Sequence, residues 1–304
     1  MNDRCIECFD YLIKIDEEAA KSIVKSFKIS GKEKLYLQIY LRLVEEIREI
    51  MKISGARDIV VDTPVNIISF ERLPYSIISR LINRPYLSAV VALLQDSQKR
   101  RIIALRSMAA LLSEIWVISK IIDAVNGYTI GGSWMITKGG NTPFAYISSR
   151  RSGMDYTIFY QLNLYQKSSD QKGRYEKFRP FNTRNGLKTF LAIDIVVFKG
   201  KKYYVDFAEM ERLATGGEKP SLLLEVKLGI PYIRNWRDVV RQMEDYLEIV
   251  RPYNIALALI GKTSSTLKQK LKELGIEIFD NLLIEENQRR FKNYITTALG
   301  EINM

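Results

Sequence analysis

The sequence predicts an α/β protein, with a mixed central sheet flanked by helices and a helical region ahead of it. Three observations predict it. Apolar residues recur at helical steps through the first third, strand-like runs bounded by turn residues begin near residue 128, and helix and strand patterns alternate from about 235 onward. Residues 1–105 read as a helical accessory region because Leu35, Ile39, Leu43, Ile47 and Ile50 lie three and four apart among Glu, Lys and Arg. Asp58–Asp62 is short enough for a strand, while Thr63 and Pro64 suit a helix start, with Thr as cap and Pro in the first turn. A helix from about 108 to Asn126 is expected to stop at Gly127. Strands follow at 128–130, 143–147 and 155–165, with Arg150 and Arg151 on a hairpin turn. Beyond a polar stretch, strands are expected at 190–198, 203–207 and 221–227. The remainder reads as a helix at 235–250, a strand at 254–260, a helix at 264–274, a strand at 276–279 and a helical tail over 286–304.

The chain has 304 residues, 47% of them hydrophobic, which is enough to bury a core and excludes wholesale disorder. Lys and Arg outnumber Asp and Glu by 46 to 35, and a net charge of +11 favours a polyanionic partner. There is no histidine, so Ser-His-Asp and Cys-His hydrolases and imidazole-ligated zinc are excluded. The two cysteines, Cys5 and Cys8, cannot build a disulfide framework; half of a zinc site shared across a homodimer stays open beside the plainer reading of two reduced thiols. The first residues lack the basic-then-apolar order of a signal peptide, and no uncharged run approaches the roughly 20 residues that span a bilayer. A cytoplasmic protein without a membrane partner is the expectation. High Ile, Lys, Glu and Tyr with scarce Cys fits a thermophile.

Chemistry concentrates on two apolar runs. In Leu222-Leu-Leu-Glu225-Val-Lys227, alternation puts Glu225 and Lys227 on one face, roughly 7 Å apart along the strand. In Phe190-Leu-Ala-Ile-Asp194-Ile-Val-Val-Phe198, a carboxylate interrupts an apolar strand, where an ionised group without a partner is expensive. Lys227 or a bound metal can supply the needed cation, and hard oxygen ligands suit Mg²⁺ or Mn²⁺.

Asp194 followed by Glu225-Val226-Lys227 resembles the PD-(D/E)xK nuclease superfamily, whose core is the restriction-endonuclease-like fold. The resemblance implies a nuclease core over 106–285 and a divalent-metal-dependent hydrolysis of phosphodiester bonds, DNA ahead of RNA. Asp194, Glu225 and the Val226 carbonyl would hold the metal, and Lys227 would orient or activate the attacking water. It also implies an acidic residue on the first core helix, a place filled by Glu114 on the stripe of Ile118, Ile121 and Val125. Gln242 and Tyr246, four apart on the helix after the E-x-K strand, resemble the Q-x-x-x-Y element of the RecB-like branch, which sits on the substrate side. No proline precedes Asp194, and the long spacing to Glu225 leaves Asp206 as a rival for the aspartate role.

Between 165 and 190, Lys167, Lys172, Arg174, Lys177, Arg179, Arg184 and Lys188 interleave with Tyr165, Tyr175, Phe178 and Phe181, the cations and rings of a nucleic-acid groove. Lys99, Arg100, Arg101 and Arg106 form a second basic cluster, expected ahead of the Glu114 helix. A relaxed P-loop pattern at Ala256–Thr263 fails on mechanism, since Leu257–Ile260 should be strand to its end and not a loop turning N–H groups toward phosphate. A nucleic-acid-binding protein without turnover and a P-loop NTPase are the alternatives to a nuclease.

Overall fold

The structure is a computed structural model, and it describes residues 15–62, 78–137, 142–164, 166–167, 178–202, 212, 217–229 and 235–301. The strand expected at 203–207, the helix start at Thr63, Asp206, Lys172, Arg174, Lys177, Cys5 and Cys8 lie outside the described residues. Two compact units divide the chain, the first formed by 1–49 and 64–116 and the second by 50–63 and 117–304. The division falls within two helices, Gly31–Ser54 and Gln98–Ala124.

The first unit is helical in its described parts, with Glu17–Ser26, Ile78–Asn83 and Pro85–Leu93 joining portions of those two long helices. Reciprocal capping fixes one helix start: Ser30 N donates to Glu33 Oε2 at 2.5 Å, and Glu33 N donates to Ser30 Oγ at 3.3 Å. Glu33 is buried, and Arg101 Nε closes on its Oε1 at 2.6 Å. Burial works to raise the Glu33 pKa, but the hydrogen bonds from Ser30 and Arg101 outweigh it and hold the group at about 2. Tyr40, fully buried, donates its hydroxyl to the Leu81 carbonyl at 2.9 Å. The helix expected from 108 starts at Gln98, so the Lys99–Arg101 cluster rides on it and Arg101 has a structural partner.

In the second unit the strands are, in chain order, β1 (Asp58–Asp62), β2 (Gly127–Ile130), β3 (Ser133–Thr137), β4 (Ala145–Ser149), β5 (Asp155–Leu164), β6 (Gln166–Lys167), β7 (Phe178–Arg179), β8 (Phe181–Thr183), β9 (Gly186–Lys188), β10 (Leu191–Lys199), β11 (Leu222–Lys227), β12 (Ile255–Leu259) and β13 (Glu277–Phe279). Seven of them form a mixed sheet in the order β13-β12-β11-β10-β5-β4-β2. The β10 strand is antiparallel to both neighbours, whereas β11, β12 and β13 run parallel through the crossover helices Trp236–Ile249 and Ser265–Glu273. Five consecutive apolar residues bury β12 on both faces, as a parallel strand covered by helices requires. The amphipathic helix Trp236–Ile249 lays Val239, Met243, Tyr246 and Ile249 onto Leu223, Leu257, Leu267 and Leu271. The C-terminal helix Glu285–Ala298 buries Phe291 and Ile295, with Phe291 stacked edge-on to Phe279 at 5.2 Å.

Asp58–Asp62 takes the strand option and pairs in parallel with β3, a strand the sequence pattern did not reveal. The residue that turns the chain out of Gln98–Ala124 is Asn126, at φ 48°, and not Gly127. Gly127 opens β2, where a Cβ would collide with Ile147 Cγ2, so its role is close approach between β2 and β4. Among the described residues, Gln98–Ala124 is long and apolar enough to cross a membrane by length and composition, but 56% of its most apolar window is buried within the protein, as in a core helix.

Candidate active site

Asp194 lies on the fourth of seven strands. Register places it between two partners. The β10–β11 ladder pairs Ile195 with Leu224, so one step further Asp194 stands opposite Glu225. The β10–β5 ladder pairs Ile193 with Leu162 and Ile195 with Tyr160, which sets Gln161 opposite Asp194 on the other side. Antiparallel neighbours meet by ladder register whatever the length of the chain between them, which removes the objection of a long spacing between Asp194 and Glu225. The pleat then puts Lys227 on the same face as Glu225.

The side chains close a compact network. Val226 N donates to Asp194 Oδ2 at 2.8 Å, a side chain standing in for the ladder beyond Leu224. In extended backbone the N–H and carbonyl of one residue open to the same side, so the Val226 carbonyl is directed toward β10 as well. Lys227 Nζ contacts Glu225 Oε1 and stands 3.6 Å from Asp194 Oδ2. Tyr246 Oη bonds the Ala192 carbonyl and stands 3.0 Å from Glu225 Oε2, while Gln242 Nε2 donates to the same hydroxyl. Gln242 and Tyr246 therefore do share the site face, with Tyr246 fully buried.

Glu225 has no exposed surface, and burial together with the charge of Asp194 pushes it up to about 8, against the pull of Lys227 and Tyr246. Burial likewise drives the Tyr246 phenol well above its ordinary range, with Glu225 and Asp194 adding to the shift. Among the described residues one ammonium thus faces two carboxyl groups in a poorly solvated place, a set of hard oxygens that one more cation would let ionise together. Comparison of the chain with protein-family models, curated proteins and solved structures finds no match.

Glu114 is half-buried on Gln98–Ala124 and belongs to the first unit, while the Asp194 cluster is built entirely by the second. Among the described residues no group of three or more His, Cys, Asp and Glu gathers as a metal site, so any metal would rest on two carboxylates, main chain and water. Arg179 is described as part of β7, paired with Gln166 of β6. At the P-loop-like segment, Ile260 N and Gly261 N bond the carbonyls of Lys227 and Leu228, and Ser264 caps the next helix by accepting from Leu267 N at 3.2 Å. Those N–H groups serve the sheet.

Sequence reasoning missed Gln161. Its Nε2 donates to Asp194 Oδ1 at 3.3 Å, and its φ of 55° is left-handed, a conformation costing a non-glycine residue roughly 1–2 kcal/mol. A polar residue in an alternating strand gives no signal of either feature.

Proposed function

We propose that the chain is a divalent-metal-dependent nuclease with a restriction-endonuclease-like core of the PD-(D/E)xK type, cutting phosphodiester bonds in DNA ahead of RNA. One observation carries the reading: Asp194, Glu225 and Lys227 converge from adjacent central strands, backed by Tyr246 and Gln242, in the order that the family motif requires. The net charge of +11 and the basic, aromatic stretch ahead of Asp194 fit a polyanionic substrate. The cytoplasm, where such a substrate resides, is the location we assign.

Asp194, Glu225 and the Val226 carbonyl would hold Mg²⁺ or Mn²⁺, which lowers the pKa of a bound water and draws charge off the phosphate. Lys227 Nζ, shared between the two carboxylates, is the group that would donate to the attacking water and offset the charge gathering on the phosphate. The Tyr246 hydroxyl holds Glu225 in its rotamer, and Gln242 holds the hydroxyl.

The deciding experiment incubates the full chain with labelled single-stranded, duplex and branched DNA, and with RNA, in Mg²⁺, Mn²⁺ or EDTA. Cleavage that requires metal and disappears in Glu225→Gln is expected. Nucleic acid bound but never cut would make this a binding protein on a nuclease-like frame.

A further inference from the structure

A cavity of about 420 Å³ opens beside the carboxylate cluster and shares Tyr246 and Ala192 with it. That volume is in the range of about 300–1,000 Å³ typical of small-molecule sites. One wall is the helix Trp236–Ile249, which presents Asp238, Arg241, Gln242 and Asp245 at three- and four-residue steps on a single face. The opposite wall is the chain from Lys188 into β10, carrying Phe190 with 49% of its surface exposed. The β8–β9 turn is latched across them: Asn185 Nδ2 stands 3.1 Å from the Arg241 carbonyl and 3.0 Å from Asp245 Oδ1.

The charges select the ligand. Lys188 pairs with buried Asp245 at 3.5 Å and Arg241 approaches Asp238 at 4.0 Å, so two cations meet two carboxylates. A pocket shaped for an isolated phosphate would carry an excess of cation; this one is balanced. What it offers instead is a half-exposed phenyl ring, two carboxamides and a carboxylate with acceptor capacity remaining, the mixture of apolar surface, donors and acceptors that reads a heterocycle.

We propose that this cavity receives one unpaired nucleobase of the strand being cut, stacked on Phe190 beside the place where a metal at Asp194 and Glu225 would bind the phosphate. The proposal rests on the nuclease reading for its reacting phosphate and names the substrate class as single-stranded or locally opened nucleic acid. A base within a duplex has its faces covered and its pairing edge occupied, so it enters such a pocket only after leaving the stack. Tyr246 ties the two places together, since it lines the cavity while its hydroxyl stands 3.0 Å from Glu225 Oε2.

The test measures binding without turnover. Fluorescence anisotropy in EDTA compares the full chain on a short fluorescein-labelled single strand of mixed sequence, an abasic strand of equal length and the corresponding duplex. The base-bearing strand should bind tighter than the abasic one by about 5- to 100-fold, the range expected of one base on one ring. Phe190→Ala and Phe190→Leu should abolish the preference, and Phe190→Trp should keep it; the leucine variant preserves apolar bulk if the alanine variant is poorly folded. Because stacking is not an ionic contact, the slope of log K against log salt should be the same in wild type and Phe190→Ala. Equal affinity for abasic and base-bearing strands, or a preference that survives both Phe190→Ala and Phe190→Leu, overturns the proposal. Absence of cleavage in any metal with the base preference intact would sink the nuclease reading and leave the base pocket standing; cleavage without the preference would do the reverse.

Discussion

Glu33 and Glu225 are both buried carboxylates, one in each compact unit, and their surroundings drive them in opposite directions. Glu33 is ringed by donors, Ser30 and Arg101, and sits at about 2. Glu225 has Lys227 and Tyr246, but its burial, and after that the charge of Asp194, push it up to about 8. The first arrangement is electrostatically complete and serves a helix start. With both carboxylates ionised, the second would carry more negative charge than the one ammonium among the described residues balances, and that is the charge the proposed cation would offset.

The largest effects should come from the unbalanced cluster. Asp194→Asn, Glu225→Gln and Lys227→Ala are each expected to lower the single-turnover cleavage rate by at least about a hundredfold, with Mn²⁺ affinity weakened by the first two and largely kept in the third. An Asp194→Asn variant that cleaves normally would return the aspartate role to Asp206. The complete cluster should show itself in stability instead: Arg101→Ala leaves Glu33 buried against fewer donors and should cost roughly 3 kcal/mol in urea unfolding. A change below the error of that measurement would remove Glu33 from the comparison.

The two glutamates should also give pH dependences of opposite sign. With its pKa lowered from 4.5 to about 2, Glu33 contributes stability that is present above pH 4.5 and lost as pH falls toward 2. With its pKa raised from 4.5 to about 8, Glu225 contributes stability that is present below pH 4.5 and lost as pH rises through 8. Thermal melts in EDTA should therefore decline on both sides, and Glu225→Gln should remove the alkaline decline alone. A Glu225→Gln profile that superimposes on wild type would contradict the raised pKa. The smallest effect is expected at the supporting pair: Tyr246→Phe and Gln242→Ala should slow turnover about tenfold with metal affinity little changed, on the scale of one or two hydrogen bonds. Full activity in both would confine the pair to packing.

Much of this unit was legible because its central strands are apolar runs broken only by the residues that matter. The expected 190–198 and 221–227 fall on Leu191–Lys199 and Leu222–Lys227, and Asp194 and Glu225 stand out there as polar residues where none is needed for solubility. What was hidden depends on distant pairing. Strand β3 is five residues long and is held by β1, some seventy-five positions away, so local periodicity carries little of its signal. The β8–β9 hairpin carries an Asn185-Gly186 turn signal, but its flanks, Phe181–Thr183 and Gly186–Lys188, are three residues each and too short for a strand pattern to support it. The cavity wall formed by Asp245, Lys188 and Phe190 exists only once that hairpin docks on the helix Trp236–Ile249.

The left-handed backbone of Gln161 carries a consequence for lineages descended from this chain. Glycine adopts that conformation without steric penalty, so in a descendant released from the need to orient Asp194, drift of this glutamine to glycine would relieve strain at little cost. Retention of glutamine at 161 together with aspartate at 194 would mark copies still under selection for the site, and their joint loss would mark copies that keep only the scaffold.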